Sequence, residues 1–148
     1  MAWWDKIGQG VRVQRVTYQL AVTAGLAMFS VAGGRILLTS IIGEITEIVN
    51  ALCNVSLRAN PTTGTTNVLC ARLNVDTYAV GDAVTITGVP TDAMIPAAGS
   101  SALPMMTLPV MIPIGDIEIV SSAAPGTGQI QFTLWYKPLD DAGYVVAA

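Results

Sequence analysis

The chain has 148 residues, 52% of them apolar and only 11% charged, with a net charge of −3 and a mean hydropathy of +0.57. That length suits one domain with its own hydrophobic core, yet a typical soluble domain carries about 25% charged residues, so the excess apolar surface points to burial against other chains. With no His and no basic run, the composition argues against nucleic-acid binding, zinc sites and His-based catalysis.

Residues 1–15 read as an amino-terminal arm ahead of a β domain over 16–148. Trp3 and Trp4 stand in tandem, and Arg12 and Arg15 form the one local pair of cations. The arm is expected either to dock on a neighbouring chain or to fold its two Trp residues back onto its own domain. Met1–Lys6 contain no basic region leading into an apolar stretch, so the chain is expected to stay in the cytoplasm until it is assembled. The longest apolar run, Leu20–Leu38, is broken by Thr23, Gly25, Ser30, Gly33, Gly34 and Arg35. A membrane helix needs about 20 consecutive apolar residues, so no membrane span is expected.

From Val11 onward the period is that of β-strands. Val11 and Val13 alternate with Arg12 and Gln14, and Val16–Val22 is rich in β-branched and aromatic residues. Leu26–Ala32 and Arg35–Ile42 read as strands joined at Gly33-Gly34, a hairpin signal. In the second of these both faces are apolar, which predicts burial on both sides. Glu44–Val49 reads as strand rather than as a short helix.

Cys53–Asn60 alternates cleanly, with Cys53, Val55, Leu57 and Ala59 on one face and Asn54, Ser56, Arg58 and Asn60 on the other. The turn Pro61–Thr66 and the return Asn67–Val75 make a hairpin, with Asn60 expected opposite Asn67. That register puts Cys70 opposite Leu57 and Cys53 near Asn74, too far apart for a disulfide. Both thiols are expected to be buried and reduced, behaving as small apolar groups.

Val80–Asp82 is a turn and Ala83–Thr87 a short strand. Residues 91–115 carry Pro96, Pro104, Pro109 and Pro113 together with Met94, Met105, Met106 and Met111. Such a segment cannot be a central strand. It is expected to lie over its own core or to pack on a partner. Ile114–Ser121 and Gln129–Lys137, joined by Ala123–Gly128, read as a second hairpin, and the tail after Asp140 as an edge strand. Together these give about eight antiparallel strands in one all-β domain: a sandwich, jelly roll or barrel.

The search for chemistry returns little. Asp116 and Glu118 project from one strand face, as paired glycosidase carboxylates would, but a solvated strand face has the same pattern. Asp76, Asp82 and Asp92 fall at turns, where Asp bonds its own backbone. No calcium-loop spacing and no phosphate loop is present. No enzyme activity, cofactor or metal is expected.

The runs Phe29–Thr46, Leu57–Gly64, Leu69–Val75 and Val84–Gly88 resemble small virion proteins of tailed bacteriophages, over residues 20–95. The resemblance implies a capsid decoration or cement protein made in the host cytoplasm and residing in the virion. It also implies a homo-oligomer, trimer favoured over dimer, that binds the major capsid protein. A tail, collar or head-fibre accessory is the second reading. The family supplies no catalytic residues, and the stretch 91–115 departs from it. The interface is expected on the arm (Trp3, Trp4, Arg12, Arg15) and the methionine segment (Met94, Met105, Met106, Met111). A third reading is a non-viral β-sandwich that binds carbohydrate through Trp135 and Tyr136 beside Lys137.

Overall fold

A computed structural model describes residues 10–15, 18–20, 25–99, 102–103 and 106–148. Trp3, Trp4, Met105 and most of the predicted strand Val16–Val22 lie outside the described residues.

The domain is all-β, a sandwich of two antiparallel sheets. Its elements are β1 (Val11–Gln14), β2 (Tyr18–Gln19), β3 (Leu26–Ala32), β4 (Ile36–Glu47), β5 (Asn54–Pro61), β6 (Asn67–Val68), β7 (Leu73–Asn74), β8 (Ala83–Thr85), β9 (Ile95–Ala97), β10 (Val110–Ile112), β11 (Gly115–Ser121), β12 (Gln129–Pro138) and β13 (Tyr144–Ala147). Among the described residues, a seven-stranded sheet has the order β1-β12-β4-β8-β9, with β10 also on β4 and β2 on β12. A six-stranded sheet has the order β13-β3-β11-β5-β6, with β7 also on β5. The strands beyond the expected eight are short ones at the sheet margins.

The core lies between the sheets. Phe29, Val31, Val55, Leu57, Ile117 and Ile119 meet Ile36, Leu38, Ile41, Ile45, Val84, Ile130, Phe132 and Leu134. Each such side chain, fully buried, stabilises the fold by about 1.5–3 kcal/mol relative to exposure. Gly43 makes room for Phe132: a Cβ there would stand 2.7 Å from Phe132 Cε1.

Both long-range hairpin expectations are corrected. β3 and β4 lie in different sheets, as do β11 and β12, so Gly33-Gly34 and Ala123–Gly128 are corners that carry the chain across the sandwich. Instead β3 pairs with β11, and β4 with β12. Glycine and proline relieve the chain at any sharp reversal, whether it closes a ladder or changes sheets. The pairing of the long strands is unchanged when β3, β4 and β5 are exchanged for β11, β12 and β13. No sequence repeat accompanies this two-fold pattern.

The two-sided apolar pattern of β4 also has a different cause. Trp135 pairs with Ser40 and Tyr136 with Leu38, leaving Thr39 as the extra residue of a bulge, its hydroxyl donating to Trp135 O at 3.1 Å. A bulge shifts the alternation by one residue. Ile36 and Leu38 face the core before it, and Ile41, Gly43 and Ile45 after it, while Leu37, Thr39 and Ile42 stay half-buried.

The Pro61–Thr66 turn does close a hairpin, with a different register. Ala59, not Asn60, pairs with Asn67, and further along Asn54 pairs with Asn74. The Leu69 N–H still donates to Leu57 O at 2.8 Å in that register, and the slip arises where Cys70–Arg72 leave the ladder. There Ala71 bridges to Ala93, its N–H donating to Asp92 O at 2.8 Å.

Candidate interaction surface

The eight residues expected at an interface have different fates. Val11–Gln14, the end of the segment read as an arm, pairs with β12, with Val11 opposite Tyr136 and Arg12 opposite Trp135. Arg12 is exposed; Arg15 is half-buried, and its N–H donates to Phe132 O at 3.0 Å. Met94 and Met106 are core residues, 2% and 9% exposed. They therefore offer nothing to a partner of the folded chain, a correction that follows from the segment folding over its own core. Met111 is 50% exposed. Trp3, Trp4 and Met105 are outside the described residues.

Met111 lines an apolar cleft of about 270 Å³ at one edge of the sandwich. One wall comes from the end of β5 and the hairpin after it: Ala59, Pro61, Thr65, Asn67, Val68 and Leu69. The other comes from the turn after β8 (Gly88, Pro90) and from β10 and its exit (Val110, Met111, Ile112, Pro113). No ionisable side chain is among these. The cleft is thus the gap between β6, an edge of one sheet, and β10, an edge of the other. Val68, Leu108, Met111 and Ile114 are each about half exposed at or beside it. Leu108 is held there by its N–H, which donates to Thr87 O at 3.3 Å. Ile114 belongs to the adjoining depression with Arg35, Thr62, Thr63 and Pro113.

Three prolines, Pro61, Pro90 and Pro113, rim the cleft. Proline has no N–H to offer a ladder, so the rim suits insertion of side chains better than addition of a strand. Sequence reading singled out Met111 but missed Val68, Leu108 and Ile114. The available signal was the three prolines, one at each chain segment that meets here.

Elsewhere the polar groups satisfy one another. Glu118, 7% exposed, accepts from Arg58 Nε at 2.5 Å and from Asn60 Nδ2 at 2.9 Å. Asp116 accepts from Ser30 Oγ at 2.7 Å. Both carboxylates of the strand pair are thus held by donors of this chain. Asp82 accepts from Ala79 N–H at 2.8 Å and Gly99 N–H at 2.6 Å, fixing the turn before β8 to the loop after β9. Cys53 and Cys70 are free and buried. Burial pushes the Cys70 thiol up to about 11, and its Sγ lies 3.3 Å from the Leu57 N–H. Among the described residues no cluster of three or more His, Cys, Asp or Glu could hold a metal ion, and no helix is long and apolar enough to cross a membrane.

The sugar-binding group is split by the pleat. Trp135 is half-buried on the outer face of its sheet, whereas Tyr136, 6% exposed, belongs to the core. Neighbours on a strand project to opposite faces, so the two rings do not form one platform.

No known protein family, curated protein or solved structure matches the chain.

Proposed function

We propose that this chain is a non-enzymatic structural protein that associates with itself and coats a virus particle, as a decoration or cement protein of a tailed-phage head does. The observation that carries the reading is the uncharged apolar cleft between β6 and β10, with Val68, Leu108, Met111 and Ile114 around it. A surface of this kind, on a chain with 11% charged residues, suits contact with protein rather than with ions, nucleic acid or polar substrates. Burial of apolar area then supplies the affinity, and many copies on one shell multiply weak contacts through avidity. The resemblance carried by Phe29–Thr46 and the runs after it fits a head protein or a tail or fibre accessory, and the head is the reading taken first. A tail, collar or fibre accessory would use the same self-association.

Light scattering after size exclusion gives the solution mass, and mixing with undecorated heads and with isolated tails gives the target. The expected result is a multiple of the 15.4 kDa chain, a trimer first, with saturable binding to heads that raises their resistance to heat. Binding to tails alone would replace the head reading by the accessory one. A monomer that binds neither particle part overturns the proposal.

A further inference from the structure

We infer that the cleft between β6 and β10 receives an indole of the tandem Trp3-Trp4 of a neighbouring copy, so that the chains join head to tail in a closed ring. This rests on the self-associating reading above and names the partner of that site. The donor segment joins the described chain at one edge of the seven-stranded sheet, and the cleft adjoins the opposite edge. The described chain begins at Gly10, beside β12, whereas the cleft opens beyond β10 on the far side of β4. They are also level: Val11 pairs with Tyr136, Tyr136 with Leu38, and Leu38 with Val110. A surface at one edge that fits a different surface at the other is heterologous, and such contacts close into rings when the rotation permits.

The exit of the arm is shaped for close passage. Gly10 has a φ of +96°, and a Cβ there would lie 2.0 Å from Tyr136 O, so glycine alone lets the chain run against that carbonyl. Trp4 and Trp3 precede Gly10 by six and seven residues, a reach of about 20–25 Å when extended. The cleft matches indole chemistry. Its walls are apolar, its proline rim discourages strand pairing, and the Thr65 and Asn67 side chains beside it are polar groups of the kind an indole N–H needs.

Two variants test this. W3A/W4A removes the donor and leaves the cleft; V68D/M111D charges the cleft at two exposed positions and leaves the arm. Far-UV circular dichroism and the melting curve establish that each is folded. Each variant alone is expected to fall to the single-chain mass of 15.4 kDa, and an equimolar mixture is expected to form a one-to-one pair, the single intact junction. Should both variants keep the wild-type oligomer, the inference fails while self-association stands. Should each become a monomer and the mixture form no pair, the head-to-tail junction is again refuted, as it would be if the arm packed in its own cleft. A wild-type monomer refutes the self-associating reading and this inference with it. If V68D/M111D does not fold, M111K alone takes its place, with the same outcomes.

Discussion

The two edges of the sandwich end differently. At one, β1 and β13 finish the seven- and six-stranded sheets side by side; between the two edges, where the β3–β4 and β12–β13 connections cross from sheet to sheet, Arg35 ties the two corners. Its N–H donates to Asp140 Oδ2 at 2.8 Å, while Nε and Nη2 reach the two carboxylate oxygens at 3.0 and 2.9 Å. At the other, β6 and β10 stand apart, and the space between them is an apolar cleft with no charge in its walls. The closed edge is covered by the chain itself, with β1 lying against β13. Among the described residues the open edge leaves apolar groups exposed, which is why association is proposed there. Apolar content alone does not separate the two, since Tyr144 and Val146 are also exposed on β13. What separates them is convergence: on β13 they flank the buried Val145 on a strand face, whereas around the cleft the apolar groups surround one concavity.

Substitutions can break this contrast at graded cost. The largest effect is expected in the frame common to both edges. Phe132→Ala removes the ring that fills the space over Gly43 and should lower unfolding free energy in urea by about 3–5 kcal/mol. A loss under about 1 kcal/mol would mean that the core relaxes around the site. The methionine segment gives a sharper comparison. Met94→Ala should cost about 2–5 kcal/mol, while Met111→Ala should stay within about 0.5 kcal/mol in the dissociated chain and weaken self-association instead. Equal stability losses at the two positions would contradict their assignment to core and surface.

The smallest effect is expected at the Arg35–Asp140 corner between the two edges, and it is pH-dependent. Hydrogen bonds from the Arg35 side chain and backbone hold Asp140 down at about 2, against an ordinary value of 3.8. A carboxylate depressed in the folded state adds stability above its unfolded value, and that contribution is lost as pH falls through the folded one. Asp140→Asn should therefore flatten the acid limb of the stability curve between about pH 4 and pH 2. Because the pair is exposed, the change near neutrality should be slight. An unchanged acid limb would show that the Arg35–Asp140 contact does not persist in solution.

The sequence by itself determined that the chain is β and which side chains face inward along most of it. Val55, Leu57, Ile130, Phe132 and Leu134 declare themselves because burial on one sheet face imposes a period of two, and that period is local. The turns at Gly33-Gly34, Pro61–Thr66 and Ala123–Gly128 were equally legible, since Gly and Pro relieve the same local strain wherever the chain reverses. Only the tertiary structure decided which turns close a ladder. β3 finds β11 and β4 finds β12 across some eighty or more residues of chain, and no local pattern encodes a partner so distant. The same holds for the methionines. Met94, Met106 and Met111 are chemically alike and close in sequence, yet two fill the core and one lines the cleft, because what buries a side chain is the surface that tertiary packing brings over it.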